Sequence, residues 1–202
     1  MLAATSARAK PGTHLLNARH EGNELSVDEI LSTCAMILFG GHGTTTDLIG
    51  NGLIALLRNP DQLDVLRRDP NAISAAVEEI LRYDGPVLFH LRIAAEDVRV
   101  RGKDIKRGDA VMLVLGAANR DPSVFADANA FDVRRADNRH LAFGHGVHFC
   151  LGASLARLEG QVAIGAVVRR FRRLELASRE ELDWRRDGAF RGVRSLPLSA
   201  AS

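Results

Sequence analysis

Cysteine is scarce in this chain of 202 residues, which contains only Cys34 and Cys150. Two cysteines are too few for the disulfide framework of a small secreted protein, so each is expected to be structural, nucleophilic or a metal ligand. Cys34 lies beside the apolar Met36, Ile37 and Leu38, whereas glycine and histidine surround Cys150. Cys150 is therefore the candidate for chemistry.

Long hydrophobic runs and strong net charge are also lacking. The longest apolar candidate, residues 30–39, ends at Gly40-Gly41 and is too short to span a bilayer. The opening residues, MLAATSARAKPGTH, contain no apolar core of a signal peptide, so we expect a cytoplasmic protein that does not enter a membrane. A formal net charge of +2 gives no indication of a nucleic-acid partner.

The hydrophobic pattern predicts a mainly α-helical protein with minor β structure. Ser26 and Glu29 form a capping box that should begin a long helix, which ends at Asn59-Pro60. The middle of this helix, residues 40–46, reads Gly-Gly-His-Gly-Thr-Thr-Thr. These are poor helix formers, so we expect a local distortion there.

The other predicted elements are short. They are helices beginning at Pro60 and over 71–83 and 151–171, a β-hairpin over 91–115 that turns at Gly102-Lys103, and strands near Leu174 and Leu196. Residues 119–140 are polar and aperiodic and predict a long loop. We expect residues 1–25 to be an irregular N-terminal segment and residues 26–202 to form one domain.

The strongest chemical motif is the glycine-rich stretch FGHGVHFCLG at residues 143–152. It presents the sulfur of Cys150 just before a predicted helix, where free backbone N–H groups and the helix dipole favour a thiolate. Gly144 and Gly152 have no side chains, so a flat cofactor could lie close to the backbone. A thiolate held in this way suits a metal whose potential is tuned by hydrogen bonds to sulfur.

Two other interpretations of this stretch stay open. Cys150 could be a buried structural residue in a tight turn. A zinc site is also conceivable, because His140, His145, His148 and Cys150 offer four ligands. The spacing argues against zinc, since all four lie within 11 residues and no second pair closes a tetrahedron.

The cysteine stretch resembles the haem-binding loop of the cytochrome P450 monooxygenases. That loop reads Phe-x-x-Gly-x-His-x-Cys-x-Gly, and the matching residues here are Phe143, Gly146, His148, Cys150 and Gly152.

Three further segments are similar to this family in its own order. Glu79-Ile-Leu-Arg82 resembles the Glu-x-x-Arg of the family's K helix. The stretch 40–45 resembles the oxygen-activating part of its I helix, and residues 119–140 resemble its meander. The resemblance covers about residues 26–198.

The resemblance implies the C-terminal half of the cytochrome P450 fold: a long I-type helix, a K-type helix, a small β-hairpin, the meander, the cysteine loop and an L-type helix. It implies haem b as cofactor, with Cys150 as the axial ligand of the iron. The implied function is an oxidoreductase that activates dioxygen at a thiolate-ligated iron and hydroxylates a small hydrophobic molecule. Its implied partner is a ferredoxin-type electron donor with its reductase.

The resemblance also implies catalytic and structural roles. Cys150 would be the thiolate whose electron donation favours cleavage of the O–O bond. Thr44 would line the oxygen pocket and assist protonation, although a threonine in a helix often bonds back to a carbonyl instead. Glu79 and Arg82 would form a buried ion pair, whereas their spacing alone would suit a solvated helix face.

Further residues would bind the cofactor or the substrate. His148 and Arg92 would pair with the haem propionates, and Phe143 would shield the thiolate. The glycines that would let the cofactor approach are Gly144, Gly152, Gly40 and Gly41. The residues that would face the substrate, if they are not simply core, are Val87, Leu88 and Phe89.

Three features depart from the family's pattern. Gly43 stands where the family usually has an acid before the threonine, so proton delivery would depend on water or on Asp47. Ala130 stands where the meander often supplies an arginine, for which Arg134 or Arg135 would compensate. The chain also begins where the family is about halfway through.

These departures leave alternative functions open, including whether the chain is an enzyme by itself. A truncated, non-catalytic remnant with weak or no haem binding is one alternative, and a peroxide-driven peroxygenase is another. The long helix should expose the apolar side chains of Ile37, Leu38, Leu48 and Ile49, which favours self-association or pairing with a missing N-terminal half.

Overall fold

The computed structural model describes residues 19–20, 23–177, 182–185 and 188–201. Its α-helices are α1 (Val27–Arg58), α2 (Pro60–Arg68), α3 (Ile73–Asp84), α4 (Leu115–Ala118) and α5 (Ala153–Arg170), with 3₁₀ turns at Pro70–Ala72 and Gly146–His148. Its strands are β1 (Arg19–His20), β2 (Asn23–Glu24), β3 (Phe89–Ile93), β4 (Val98–Val100), β5 (Lys103–Ile105), β6 (Ala110–Val114), β7 (Arg173–Leu176) and β8 (Leu198–Ala201). The prediction of a mainly helical chain with minor sheet is confirmed.

The chain divides into two compact units, residues 1–42 and 43–202. In the first unit β1 pairs antiparallel with β2. The segment expected to be irregular, residues 1–25, lies outside the described residues except for 19–20 and 23–25. No helix in the described ranges is long and apolar enough to cross a bilayer.

The start of α1 confirms the capping box. The backbone N–H of Glu29 donates to Ser26 Oγ at 3.3 Å, and the backbone N–H of Ser26 donates to Glu29 Oε2 at 2.8 Å. Each side chain thereby satisfies a backbone donor that the first helical turn leaves without a partner.

The glycine-rich middle of α1 contradicts the expected distortion, because every residue from Gly40 to Thr45 is α-helical. Glycine lowers helix propensity by about 1 kcal/mol but removes no backbone hydrogen bond, so the helix continues through it. Within the described residues, a Cβ atom at Gly40, Gly41 or Gly43 would meet nothing within 4 Å. Packing therefore does not require glycine at these positions.

Exposure changes along α1. In the first unit Met36, Ile37, Leu38 and Phe39 are exposed. In the second unit Leu48 is buried and Ile49 is half-buried against the core, which corrects the expectation that both would be exposed. Only the earlier part of the helix thus carries the predicted exposed apolar surface.

Helix α3 lies at the centre of the core of the second unit. Its apolar face, which contains Ala76, Val77, Ile80 and Leu81, is fully buried. Most of the rest of this core comes from α1, α2 and α5, and Phe131, Val133 and Leu174 add to it from the 119–140 loop and β7. The members from the helices include Leu48, Leu53, Leu56, Leu63, Leu66, Ile164 and Val168. Burying side chains of this kind contributes about 1.5–3 kcal/mol each.

Close approach of the helices requires a small residue on α5. A Cβ atom at Gly160 would lie 3.3 Å from Leu48 Cδ2 and 3.3 Å from Val77 Cγ1. Gly160 therefore lets α5 pack tightly against the helices that carry these two side chains.

The described residues of the second unit also form three antiparallel strand pairs, β3 with β6, β4 with β5, and β7 with β8. The predicted hairpin over 91–115 is thus two nested pairs. The β4–β5 turn consists of Arg101 and Gly102, which have φ angles of 46° and 78°, so the predicted turn at Gly102-Lys103 is wrong by one residue. Residues 119–140 contain neither helix nor strand, which confirms the long loop.

Candidate functional site

A fully buried ion pair joins Glu79 and Arg82 on α3. Arg82 Nε donates to Glu79 Oε2 and Arg82 Nη2 donates to Glu79 Oε1, both at 2.7 Å. The same guanidinium donates to the backbone carbonyls of Asn119, Ala128 and Ala130 at 2.8–2.9 Å. The prediction of a buried pair is confirmed, and Arg82 also binds the start and the middle of the 119–140 loop.

Arg135 supplies the second arginine of this cluster. Its Nε lies 3.2 Å from Glu79 Oε2, and its guanidinium also donates to the carbonyl of Ala126 at 2.6 Å. Arg134 instead reaches Asp69 on the surface. Of the two arginines expected to compensate for Ala130, Arg135 is therefore the one that contacts Glu79.

The cysteine loop places Cys150 three residues before α5, with its thiol free and exposed. The backbone N–H of Cys150 donates to the carbonyl of Phe143 at 3.0 Å, and its own carbonyl accepts from Ala153 at 3.2 Å. The loop is thus closed on one side by Phe143 and continues on the other into the helix. Burial of Cys150 as a structural core residue is excluded.

The side chains around Cys150 are apolar and lie open. Val147 is 96% exposed and Leu151 is 89% exposed, and Phe149 is half-exposed. Gly144 and Gly146 have φ angles of 72° and 76°, a conformation in which other L-residues are strained. The loop therefore presents a sulfur on an apolar surface whose shape depends on glycine.

A second ion-pair cluster, which the sequence did not predict, joins α3 to α5 near this loop. Glu78 on α3 accepts from Arg157 on α5 at 2.7 and 2.9 Å, and its Oε2 lies 3.1 Å from His140 Nε2. Burial opposes ionisation of Glu78, but the hydrogen bonds from His140 and Arg157 and the charge of Arg157 lower its pKa to about 2. No sequence motif marked this cluster, because its three members are far apart in the chain.

This second cluster leaves no zinc site. His140 Nδ1 accepts the backbone N–H of Ala142 at 3.2 Å, so the Nε2–H is the donor to Glu78. In the part of the chain that the structure describes, no three His, Cys, Asp or Glu side chains are placed to hold a metal ion. His140, His145, His148 and Cys150 are therefore not a tetrahedral ligand set.

Strand β3 comes close to the cysteine loop at Gly144. A Cβ atom at Gly144 would lie 4.0 Å from His90 Nε2 and 3.9 Å from the carbonyl oxygen of His148. Arg92 lies two residues after His90 and is exposed, as is His148. The predicted propionate partners Arg92 and His148 thus belong to neighbouring segments.

His90 was missed by sequence reasoning, although the alternation of β3 places it on the same face as Arg92. Burial lowers the pKa of His90 below its usual value, and the charge of Arg92 lowers it further.

The segment after α3 is held by the C-terminal part of the chain. Val87 forms a β-bridge with Phe190, and the backbone N–H of Leu88 donates to the carbonyl of Ala189 at 2.8 Å. Phe89 begins β3, and all three predicted substrate-facing residues are half-buried. Phe190 is a neighbour that the sequence did not identify.

Thr44 lies half-buried on α1, one turn before Asp47. The carboxylate of Asp47 is buried and forms an ion pair with Arg185. It also lies where a Cβ atom at Gly192 would be, so the C-terminal segment packs directly on it. Asp47 is thus held in a structural ion pair, which argues against its use as a proton donor beside Thr44.

The first-unit glycines of the predicted site, Gly40 and Gly41, follow each other on α1 and are exposed. Their backbone is helical, and a side chain at either position would meet no described atom within 4 Å.

The comparisons with known proteins all point to the same family. The cytochrome P450 family profile matches residues 10–187. The biotin biosynthesis cytochrome P450 of Bacillus subtilis is 46% identical over 187 residues, which are 92% of this chain and 46% of that protein. Cytochrome P450 107B1 of Saccharopolyspora erythraea is 46% identical over 197 residues, 95% of this chain and 49% of that protein.

Solved structures agree with this comparison. P450BioI in complex with an acyl carrier protein ligated to hexadec-9Z-enoic acid superposes with a TM-score of 0.85 at 46% identity, over 88% of this chain and 46% of that one. The polyketide synthase cytochrome P450 PksS of Bacillus subtilis 168 superposes with a TM-score of 0.88 at 42% identity, over 93% of this chain and 49% of that one. The chain spans about half the length of the curated relatives it matches. It belongs to the cytochrome P450 family.

Proposed function

We propose that residues 26–202 correspond to the C-terminal half of the cytochrome P450 fold and bind haem b through Cys150. Haem b is the cofactor of the cytochromes P450. In this correspondence α1 is the I-type helix, α3 the K-type helix and α5 the L-type helix. The loop at 119–140 is the meander, and residues 143–152 are the cysteine loop.

The observation that carries the proposal is the exposed thiol of Cys150 on an apolar, glycine-shaped surface. A flat hydrophobic group fits such a surface, because Val147, Phe149 and Leu151 expose area that would otherwise stay in water. A Cβ atom at Gly144 would fill space between the loop and β3. The donor set also fits, since a single thiolate is a known protein ligand of haem iron.

The residues around the loop would have distinct tasks. Cys150 would ligate the iron. Phe143, whose carbonyl accepts the backbone N–H of Cys150, would shield the sulfur. Arg92 and His148 are exposed on neighbouring segments and would donate to the propionates. When bound, the haem would supply the iron at which dioxygen is activated.

The proposed activity is monooxygenation of a small hydrophobic molecule. Val87, Leu88 and Phe89 would form one wall of the substrate pocket, and Thr44 would hold a proton near the reacting oxygen. A ferredoxin-type protein with its reductase would be the electron donor. One relative is named for polyketide biosynthesis and another was solved with a fatty acyl carrier protein, which supports a hydrophobic substrate.

Haem titration tests the binding proposal. The native chain should take up one haem per molecule, with a change in Soret absorbance. Cys150→Ser should lose the thiolate-type spectrum, whereas Cys34→Ser, which removes the other exposed cysteine, should keep it. If both variants kept the thiolate-type spectrum, another residue would be the ligand of the iron. Absence of any spectrum in the native chain would support the alternative of a remnant that does not bind haem.

A specific observation favours peroxide-driven turnover as a second candidate function. Gly43 provides no acid, and the buried ion pair with Arg185 engages Asp47. Hydrogen peroxide delivers oxygen already reduced, so a peroxygenase would not need a proton relay from either position.

Gly43→Glu separates the two functions, because a side chain at Gly43 meets no described atom within 4 Å. The variant should increase turnover driven by dioxygen and ferredoxin relative to turnover driven by peroxide. Gly43→Ala serves as the control without an acid. An unchanged ratio in Gly43→Glu would contradict the role assigned to the missing acid.

A further inference from the structure

A cleft of about 290 Å³ lies in the second unit, between the end of α3, the start of the 119–140 loop and the C-terminal segment. This volume is near the lower end of the range found for small-molecule pockets. The charged residues that line the cleft are Arg82, Arg120, Arg191 and Asp84. Three arginines against one aspartate make the lining basic.

The charge of Arg82 is already balanced inside the protein. Glu79 binds it in the fully buried ion pair, and three backbone carbonyls accept its remaining N–H groups. The cleft is therefore left with the guanidinium groups of Arg120 and Arg191 and with the carboxylate of Asp84. Two positive charges against one negative charge attract a small anion.

Arg120 is oriented by contacts with neutral groups. Its Nη2 donates to the carbonyl of Tyr83 at 2.6 Å, and its Nη1 donates to Asn129 Oδ1 at 3.3 Å. Its Cζ lies 4.2 Å from the centroid of the Tyr83 ring, within the range of a cation–π contact. Among the residues that the structure describes, no carboxylate forms an ion pair with Arg120.

Arg191 is oriented as well, but it keeps unused donors. Its Nε binds Asp84 Oδ1, and its Cζ lies 3.9 Å from the centroid of a Trp184 ring. Its backbone is fixed by hydrogen bonds to the carbonyl of Pro86 and from the side chain of Asn51. Within the described ranges its two Nη groups have no hydrogen-bond partner, and its side chain is about one-third exposed.

We propose that this cleft binds a small oxyanion, a carboxylate or a phosphate, between Arg120 and Arg191. Guanidinium groups bind both kinds of anion through paired hydrogen bonds in one plane. Because both side chains are already held in place, little of the binding energy is lost in ordering them. The anion would balance the excess positive charge and accept hydrogen bonds from the unused Nη groups of Arg191.

The oxyanion could come from two sources, because Val87 and Leu88 also line the cleft. It is either a free ion or the charged end of an apolar molecule. Only the second source connects the cleft with the proposed substrate wall, and that connection rests on the proposed function.

Isothermal titration calorimetry of the full chain with sodium phosphate tests the proposal. Sodium chloride keeps the ionic strength constant, so that general screening does not change during the titration. The native chain should bind phosphate saturably. Arg191→Gln removes the unused donors and should weaken binding at least about tenfold. Arg194→Gln removes an exposed arginine of the same segment and should leave the affinity unchanged.

Two further variants separate binding from folding, because Arg191→Gln also loses the ion pair with Asp84. Arg120→Gln removes the other guanidinium, which lies in a different segment, and should weaken binding to a similar degree. Arg191→Lys keeps a positive charge for Asp84 but lacks the planar pair of donors, so it should retain only part of the affinity. Circular dichroism shows whether each variant is folded.

Octanoate and octanol distinguish the two sources. If the anion is the end of an apolar molecule, octanoate should bind more tightly than phosphate, and Arg191→Gln should weaken octanoate binding but not octanol binding. If the anion is a free ion, phosphate should bind at least as tightly as octanoate.

Two results would overturn the proposal. One is the absence of saturable binding of phosphate and octanoate by the native chain. The other is native affinity in both Arg191→Gln and Arg120→Gln with unchanged circular dichroism. The titrations need no haem, so their failure would leave the proposed haem binding in place, and a chain that binds no haem would leave the oxyanion site in place.

Discussion

Glu78 and Glu79 are neighbours on α3, yet their carboxylates hold different parts of the molecule. Glu79 binds Arg135 within the 119–140 loop, whereas Glu78 binds Arg157 of α5 and His140 at the end of that loop. Consecutive helix positions point about 100° apart, so one helix can serve both segments. The pair of glutamates therefore links α3 to the 119–140 loop and to α5.

Glu79→Ala should strongly destabilise the chain. The substitution leaves the guanidinium of Arg82 buried without its carboxylate, which typically costs about 3–5 kcal/mol. Urea unfolding of the variant measures this loss, and Glu96→Ala on the surface is the control. A loss in Glu79→Ala of well under about 1 kcal/mol would mean that the pair is not buried in solution.

Arg134 and Arg135 provide a matched comparison of two adjacent arginines. Arg135→Ala should cost about 1.5–3 kcal/mol of unfolding free energy, because it removes charged hydrogen bonds to Glu79. Arg134→Ala removes an exposed pair with Asp69 and should cost no more than about 1 kcal/mol. Equal losses in the two variants would contradict the assignment of Arg135 as the second arginine of the cluster.

Glu78 should make stability depend on pH in the acid range. Its pKa is lowered from 4.5 to about 2 in the folded chain, so its contribution is fully present above pH 4.5 and is lost as the pH falls toward 2. Because solvent partly screens this half-buried group, the contribution is well below the roughly 3 kcal/mol that the full shift would correspond to. Glu78→Gln should therefore be less stable than the native chain at neutral pH, and the difference should shrink below pH 4.5. A difference that is the same at pH 3 and pH 7 would show that Glu78 is not held ionised by its partners.

Gly192→Ala should loosen the C-terminal segment, because a Cβ atom there overlaps the carboxylate of Asp47. Asp47 is fixed by Arg185 and cannot simply move away, so the expected loss is about 1–3 kcal/mol. Gly50→Ala is the control, since a Cβ atom at Gly50 meets nothing described within 4 Å and alanine favours the helix by about 0.5–1 kcal/mol. Thermal unfolding measures both variants. If both changed the stability of the chain in the same direction, the close packing of Gly192 on Asp47 would be contradicted.

Local patterns predicted much of the fold. The capping box at Ser26, the end of α1 and the helical periodicity of α3 follow from side-chain spacing and capping, which act over a few residues. The distortion predicted from the glycine run in α1 was wrong, because helix propensity is a weak preference that a long helix overrides. The β4–β5 turn shifted by one residue because Arg101 adopts a positive φ beside Gly102.

The residues of the candidate site also fall into those that the sequence predicts and those that it does not. Cys150, Glu79 and Arg82 belong to compact motifs and could be found from the sequence. The partners Arg157 and Phe190 could not, because they reach the site only through tertiary packing. No short-range pattern relates a glutamate on α3 to an arginine on α5.

The ferrous carbon monoxide difference spectrum of the haem-loaded chain tests the central claim most directly. Thiolate ligation by Cys150 predicts a strongly red-shifted Soret band in the native chain and in Cys34→Ser, and loss of that band in Cys150→Ser with unchanged helical content. A native chain that binds haem but shows an unshifted Soret band, or a Cys150→Ser variant that keeps the shifted band, would contradict the account.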